Sequence, residues 1–239
     1  AASDVYKRQM LAVCLCAHAE VKLPAIFSDG MVMQQQTKAN LWGTATPNKK
    51  ITVTTGWNGK QYVATADKNG AWKLSVSTPE AGGSYSITFN DGSKKTLNNI
   101  LIGELWLCSG QSNMEMPMKG FKNQPVENAN MDILRSKNPN IRLFTVKRTS
   151  TFTPQTDVVG TWKEATPANV RDFSATAYYF GRLINEILDV PVGLVVAAWG
   201  GSACEAWMTA DWLKAFPDAK IPQSEADIKS KNRTPTLLY

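Results

Sequence analysis

Two segments of the sequence place small polar residues directly after an apolar run. The first is 108–115 (CSGQSNME), which follows the apolar residues 100–107. Glycine there permits a sharp turn, so that Ser112 would start a helix with its hydroxyl exposed. Such a serine can attack a carbonyl carbon, and its own N–H can bind the oxyanion that forms. Ordinary helix capping is the competing interpretation, because Ser112 and Glu115 fit the S-x-x-E capping box.

The second segment is 199–207 (WGGSACEAW), which follows another apolar run. Adjacent glycines after a buried strand indicate close approach of the backbone to another group. Gly200 or Gly201 could therefore donate an N–H to the same oxyanion, although a tight turn explains both residues as well. Ser202 is an alternative nucleophile, but nothing in the sequence favours it over Ser112.

The elements that must position these segments are strands alternating with helices. Residues 100–108 (ILIGELWLC), 141–146 (IRLFTV) and 192–199 (VGLVVAAW) are apolar runs typical of strands covered on both faces. Strands separated by helices predict βαβ units and a parallel sheet. Sites in such sheets lie at the carboxyl ends of the strands, where both polar segments fall.

The main helix is predicted between the second and third apolar runs. Asp172 or Ser174 can cap its start, and Pro191 prevents its continuation. Its apolar residues recur at spacings of three and four, which indicates one buried face. These residues are Phe173, Ala177, Phe180, Ile184 and Ile187. A weaker helical stretch surrounds residues 126–135.

Residues 20–98 have a different sequence pattern, which is typical of an all-β region. Apolar and polar residues alternate with period two, as in the segment 71–77 (AWKLSVS), which indicates strands with one buried face. Asn-Gly and Asp-Gly pairs separate them and suit tight hairpins. A small β-sandwich is therefore predicted for 20–98, and the α/β domain for 99–239.

The first nineteen residues are interpreted as a targeting segment. Residues 10–17 form a short apolar run after Lys7 and Arg8, and residues 17–19 (AHA) fit a cleavage signature. We expect a signal peptide at about 10–19, export to the outside or the periplasm, and a non-native leader at 1–9. No run is long enough for a membrane-spanning helix.

Composition excludes several classes of function. The net charge of +6 is spread along 239 residues, without the basic run of a nucleic-acid-binding arm. A hydrophobic fraction of 43% excludes a disordered chain. No metal-ligand or phosphate-loop motif is present. Cys108 and Cys204 could pair or remain free in an exported protein.

The first of these two segments also carries a family resemblance. Residues 103–117 (GELWLCSGQSNMEMP) resemble the nucleophile block of the sialate O-acetylesterase family, in the SGNH hydrolase superfamily. Residues 23–35, 173–184 and 195–208 resemble further segments of that family, in its order. The resemblance covers roughly residues 20–239. It implies an SGNH-hydrolase-like three-layer domain with a parallel sheet, preceded by the small all-β domain.

The resemblance implies an exported carbohydrate O-acetylesterase without metal or cofactor. Its substrate would be O-acetylated sialic acid or another acetylated glycan. Ser112 would be the nucleophile and one oxyanion donor, with Gly200 or Gly201 as the second donor. The oligomeric state is not implied.

Two catalytic blocks of the family have no counterpart here. Residues 20–239 contain no WYQGESN-like segment, which carries the family's oxyanion asparagine, no Asp-x-His pair, and no histidine after His18. We therefore expect the chain to be a C-terminally truncated esterase, and residues 99–239 to be the N-terminal part of its catalytic domain. Alone, it should be nearly inactive.

Other residues near the two segments have plainer interpretations. Gln111, Asn113 and Trp207 are candidates for substrate binding, although Gln111 and Asn113 could serve only the turn. Glu115 is expected to be the capping partner rather than a catalytic acid. Two further tryptophans lie in strand patterns and are expected in the core, Trp72 and Trp106.

Three alternatives remain at this point. An acetylxylan esterase would share the same local sequence. A glycoside hydrolase would need two carboxylates about 5–10 Å apart, with Glu104, Glu115 and Glu205 as candidates. A non-catalytic glycan-binding protein would use the β part as binder and the α/β part as scaffold.

Overall fold

A computed structural model describes residues 20–238, and the predicted signal peptide lies outside them. This part of the chain is an α/β structure with an all-β N-terminal region, as predicted. Its strands are β1 Val32–Gln34, β2 Lys38–Thr44, β3 Lys50–Thr55, β4 Gln61–Thr65, β5 Ala71–Ser77, β6 Gly82–Asn90, β7 Lys94–Gly110, β8 Asn138–Thr145, β9 Trp162–Ala165 and β10 Val192–Ala198. Its α-helices are α1 Ser112–Glu115, α2 Ala129–Leu134, α3 Pro167–Val170, α4 Ala175–Leu188 and α5 Ala210–Leu213.

The N-terminal region consists of two sheets around one core. Strands β4, β3, β6 and β7 pair antiparallel, and β2 pairs antiparallel with β5 in a separate sheet. Trp72 and Val76 of β5 pack with Ile51 and Phe89 of the larger sheet, and all four are buried. Gly70 and Gly92 have positive φ in the turns predicted for them. Burial of Trp72 confirms its predicted place in the core.

One long strand connects the two regions. The 17-residue β7 pairs with β6 through its first half, and parallel with β10 from Glu104 to Gly110. The boundary predicted between residues 98 and 99 lies inside this strand. In the described part of the chain, eight strands form one continuous sheet in the order β4-β3-β6-β7-β10-β8-β9, with β1 also paired to β7. The two regions are therefore joined through shared backbone hydrogen bonds.

The second region contains the predicted parallel arrangement. Strands β7, β10 and β8 are parallel neighbours, and β9 closes the edge antiparallel. Helix α4 packs on β10, and a Cβ on Gly181 would overlap the side chain of Leu194. Ser174 caps this helix by accepting the N–H of Ala177 at 3.1 Å.

The predicted buried face of α4 is partly wrong. Ala177 is buried, but Phe180 is 38% exposed and Ile187 is 67% exposed. Tyr178 and Gly181 are buried instead. The face that touches the sheet is therefore rotated from the predicted one, and an apolar stripe of α4 lies on the surface.

The prediction that residues 100–108 are covered on both faces holds only for the first part of the run. Ile100 to Gly103 are buried, but Leu105, Trp106 and Leu107 are exposed, so the predicted core position of Trp106 is wrong. Trp106 packs edge to face on Phe180, with ring centroids 4.9 Å apart. Among residues 20–238, no strand pairs with the edge of β7 opposite β10 beyond Gly103. This open edge explains the exposure.

A buried arginine fixes the two regions against each other. The guanidinium of Arg142 donates to the carbonyl oxygens of Pro139 and Gly30, at 2.7 and 3.3 Å, and to Oδ1 of Asn99 at 3.1 Å. It also forms an ion pair with the half-exposed Glu164 at 3.3 Å. Burial lowers the pKa of Arg142, and the Glu164 carboxylate opposes that effect.

Candidate active site

Ser112 lies where the predicted strand–turn–helix places it. β7 ends at Gly110, whose φ of +151° turns the chain, and Ser112 is the first residue of α1. Its side chain is exposed, two residues beyond the end of β7. The carbonyl of Gly110 accepts the N–H of Trp199 at 3.1 Å, which ties this turn to the end of β10. The serine hydroxyl is therefore accessible and held at the carboxyl end of a mostly buried sheet.

Gln111, not Ser112, caps the short helix. Its Oε1 accepts the backbone N–H of Ser112 at 3.1 Å and the Ser112 hydroxyl at 2.7 Å. The capping interpretation of Ser112 is therefore wrong, since its hydroxyl bonds the preceding side chain rather than a backbone N–H of α1. Asn113 is exposed, and its carbonyl accepts the hydroxyl of Thr176 at 3.1 Å.

The second polar segment lies beside Ser112. A Cβ built on Gly200 would lie 3.8 Å from Cα of Ser112 and would overlap Oε2 of Glu115. A side chain at position 200 would therefore displace the Glu115 carboxylate, whereas the distance to Ser112 is an ordinary van der Waals contact. Gly201 has φ of +71°, in the left-handed region that favours glycine. The structure thus brings Ser112 and the glycine turn together, as the strand ends predicted.

Glu115 does not complete a capping box, which corrects its predicted role. Its Oε2 accepts the N–H of Gly200 at 2.5 Å, and its Oε1 pairs with the guanidinium of Arg148. The side chain of Glu115 is 20% exposed and that of Arg148 is 55% exposed. The guanidinium also lies over the ring of Trp199, 6.0 Å from its centroid. A partly buried carboxylate is thus placed between the helix of Ser112 and the glycine turn.

The carbonyls of the glycine turn are held from the C-terminal side of the chain. Asn232 donates its Nδ2–H to the carbonyl of Gly200 at 3.0 Å, and Arg233 donates to that of Gly201 at 3.4 Å. The N–H of Gly201 has no acceptor among residues 20–238. The turn is therefore fixed through its carbonyls and through one of its two amides.

A cleft of about 400 Å³ opens next to Arg148. Its walls come from both regions of the chain and are rich in tryptophan, including Pro24, Trp42, Leu107, Trp199 and Trp207. The Nε1–H of Trp207 donates to Oγ of Ser202 at 2.9 Å. Ser202 is half-buried, and its hydroxyl oxygen already accepts this hydrogen bond, whereas Ser112 is exposed.

The three glutamates considered as a glycosidase pair are distributed differently. Glu104 faces the first residue of β10 in register, while Gly110 faces the last. Six residues of strand separate these positions by about 20 Å, so Glu104 is too far away to pair with Glu115. Glu104 binds the side-chain amides of Gln34 and Gln35, and Glu205 is exposed. Glu104 therefore lies at the opposite end of the sheet from Glu115 and cannot form a glycosidase pair with it.

The two cysteines of the described region are both free. Cys108 is buried next to the nucleophile turn, and burial raises the pKa of its thiol. Cys204 is exposed. Residues 20–238 also contain no cluster of three or more potential metal ligands and no helix long and apolar enough to span a membrane.

Sequence reasoning missed Arg148 and Asn232. Arg148 follows the carboxyl end of β8, so the strand-end rule that selected Ser112 could have found it as well. Asn232 lies in an irregular C-terminal segment, where no periodicity or motif marks it. Both were missed because their role depends on a fold that brings three separate loops together.

Comparison with known proteins identifies the family of this chain. A family model described as carbohydrate esterase, sialic acid-specific acetylesterase, matches residues 102–229. The chain belongs to this family. Ser112, Glu115, Arg148 and Gly200 all lie inside the matched region. The family assignment therefore confirms the sequence resemblance, and the match leaves out only Asn232, Arg233 and part of the cleft wall among the residues described for the site.

Curated proteins and a solved structure agree with the family. Over 212 residues the chain is 27% identical to the sialate O-acetylesterases of Pongo abelii and of Homo sapiens, and it is 28% identical to that of Rattus norvegicus over 203 residues. These matches cover 81%, 81% and 77% of this chain and 40%, 40% and 37% of the relatives. A carbohydrate acetylesterase from Xanthomonas citri superposes with a TM-score of 0.79 at 33% identity, over 92% of this chain and 46% of that one. The chain thus spans about two fifths of the length of its curated relatives.

Proposed function

We propose that the whole protein removes O-acetyl groups from sialic acid or a related glycan, with Ser112 as nucleophile. The observation that carries the proposal is the exposed hydroxyl of Ser112 at the end of β7, directly beside the Gly200 turn. Membership of the acetylesterase family supports the ester as substrate, and the names of the curated relatives support the sialate.

The reaction would follow the acyl-enzyme route. The Oγ of Ser112 attacks the acetyl carbonyl carbon and gives its proton to a base, forming a tetrahedral oxyanion. The N–H of Ser112 and an N–H of the glycine turn stabilise that oxyanion. The intermediate then expels the sugar hydroxyl, which takes the proton, and leaves acetyl-Ser112. Water gives a proton to the base and attacks the acetyl carbon, the bond to Oγ breaks, and Oγ takes that proton as acetate is released.

We propose a histidine as the base, and residues 20–239 contain none. We infer that the histidine and its carboxylate partner come from the region that the relatives have and this chain does not span. Losing a triad member typically costs about 10⁴-fold or more in rate. The 239-residue chain alone should therefore release acetate at least about 10⁴-fold more slowly than the whole protein.

The aromatic cleft next to Arg148 supports a sugar as the group that carries the ester. Aromatic faces stack on sugar rings, and Trp199 and Trp207 line the cleft. We propose Gln111, Asn113 and Trp207 as substrate-contacting residues. The exported location expected from residues 10–19 belongs to the same proposal, since glycans of this kind are displayed outside the cell.

The test is acetate release by the whole protein from a panel of esters. The panel contains 9-O-acetylated sialic acid, acetylated xylo-oligosaccharide and 4-nitrophenyl acetate. We expect the sialate to be preferred and Ser112→Ala to abolish release from all three, while Ser202→Ala retains it. Preference for the xylan ester would replace the proposed substrate, and full activity of Ser112→Ala would refute the nucleophile. No release from any ester, with glycan binding retained, would favour a binding protein.

A further inference from the structure

We propose that Glu115 is a positioning residue for the oxyanion site, and that the amide left for the acyl oxygen is that of Gly201 rather than that of Gly200. The inference rests on the proposed function, because it refines which groups of the same site act. The Glu115 carboxylate contacts the Gly200 N–H and the Arg148 guanidinium. Neither contact is needed to cap the helix or to place the nucleophile.

Glu115 joins the carboxyl ends of three neighbouring strands. It lies on α1, directly after β7, while Arg148 follows β8 and Gly200 follows β10. In the sheet these strands are adjacent, in the order β7-β10-β8. A single carboxylate thus holds the loop after each strand through the Gly200 N–H and the Arg148 guanidinium. A bridge of this kind fixes the distance between Ser112 and the glycine turn.

The contact at Gly200 determines which amide is available. The N–H of Gly200 already donates to Oε2 of Glu115, and an oxyanion placed there would lie against a carboxylate of the same charge. Gly201 is exposed, and its N–H has no acceptor within residues 20–238. Its carbonyl is held by Arg233, so the orientation of the turn is restrained from the other side. Of the two glycine amides, only that of Gly201 remains to stabilise negative charge.

The bridge that Glu115 forms should affect the reaction rate rather than the stability of the fold. The Glu115–Arg148 pair is partly exposed to solvent, and such pairs contribute little to stability. Oxyanion donors interact with the charge that develops in the transition state, so a misplaced donor lowers kcat more than it raises KM. A residue that mainly supports folding would instead lower the fraction of active molecules.

The experiment compares three variants of the whole protein on one acetyl ester. Glu115→Ala removes both contacts of the carboxylate. Glu115→Gln keeps an oxygen that can accept the Gly200 N–H. Arg148→Met removes the ion pair and leaves the carboxylate on Gly200, so it separates the two contacts of Glu115. Active sites are counted by stoichiometric labelling with a fluorophosphonate, so that kcat refers to folded, competent molecules.

We expect Glu115→Ala to lower kcat about 10- to 100-fold with little change in KM. Glu115→Gln should recover most of that loss, and Arg148→Met should lose less than Glu115→Ala, because the contact with the Gly200 N–H remains. An unchanged kcat per labelled site in Glu115→Ala, or a loss confined to KM, would overturn the positioning role and leave the proposed function intact. A wild-type protein that neither takes the label nor releases acetate would overturn both.

Discussion

One oxygen atom, Oε1 of Gln111, accepts two hydrogen bonds from Ser112, from its hydroxyl at 2.7 Å and from its backbone N–H at 3.1 Å. These are the two groups of Ser112 that the proposed reaction uses. The side chain of Gln111 is exposed, so it can rotate away when a substrate carbonyl arrives. A substrate carbonyl must therefore displace the Gln111 side chain before it can contact the Ser112 hydroxyl and N–H.

Replacing this amide with a carboxylate should harm catalysis more than removing it. In Gln111→Glu a negative charge lies beside the developing oxyanion, and like charges about 4 Å apart near a protein surface repel by about 4 kcal/mol. We expect kcat/KM of the whole protein to fall about 100-fold or more in Gln111→Glu. Gln111→Ala should fall by less than about 10-fold. Steady-state kinetics on an acetyl ester check this, and equal losses in both variants would contradict the proposed place of the oxyanion.

The buried guanidinium of Arg142 should contribute strongly to stability. In Arg142→Met the carbonyls of Pro139 and Gly30 and the amide of Asn99 lose their donors. We expect the free energy of unfolding to fall by about 3 kcal/mol. Glu164→Gln is the matched control at the half-exposed end of the same contact and should cost less than about 1 kcal/mol. Urea denaturation measures both, and similar small losses would show that Arg142 is not the link between the two regions.

The cluster of Tyr179, Asp132 and Arg182 predicts a pH dependence at alkaline pH. Burial, together with the hydrogen bond from the Tyr179 hydroxyl to Asp132, raises the pKa of Tyr179 to about 12. The unfolded chain loses this proton near its ordinary pKa of about 10. Between these values the folded state binds more protons, so stability is full below pH 10 and decreases as the pH rises towards 12.

Tyr179→Phe provides the comparison for that titration. Absorbance at 295 nm should show two tyrosines that ionise late in the wild type, Tyr178 and Tyr179, and only Tyr178 in the variant, because burial raises the pKa of Tyr178 as well. The decrease of stability between pH 10 and 12 should also be smaller in Tyr179→Phe. A variant with the same slope would assign the effect to another group.

The open edge of β7 predicts an alternating pattern of amide exchange in the 239-residue chain. Glu104 donates its N–H towards β10, so Trp106 and Cys108 point the same way, and Leu107 and Ser109 point to the unpaired side. We expect the amides of Leu107 and Ser109 to exchange almost as fast as in an unstructured peptide, and those of Trp106 and Cys108 to be protected.

Hydrogen exchange measured by NMR distinguishes neighbouring amides and so tests this pattern. Protection of all four amides that persists on dilution would show that the edge is paired within one chain. Protection that disappears on dilution would instead indicate pairing between copies through the exposed apolar surface of Leu105, Trp106 and Leu107.

Much of the fold could be predicted because local patterns and packing agree. The runs at 141–146 and 192–199 form adjacent parallel strands. The helix between them starts after its cap at Ser174 and ends before Pro191, as predicted. Prediction failed where burial depends on what covers a strand. Residues 105–107 have the pattern of a buried strand, yet their exposure is set by the open edge of the sheet.

The site was predictable in outline but not in its contacts. Strand ends followed by serine or glycine located Ser112 and Gly200, since the carboxyl ends of parallel strands meet at one edge. The partner of Glu115 was mispredicted, because a capping box is a local pattern and Gly200 lies 85 residues away in the chain. Long-range contacts of single side chains have no signature in one sequence.

The central claim, that Ser112 is the nucleophile, is tested most directly by mapping a covalent label. The whole protein is treated with a fluorophosphonate, digested, and its modified peptide identified by mass spectrometry. The account predicts one equivalent of label on Ser112, none on Ser202, and loss of acetate release in proportion to labelling. An active protein that is labelled at another residue, or that keeps its activity with Ser112 modified, would contradict it.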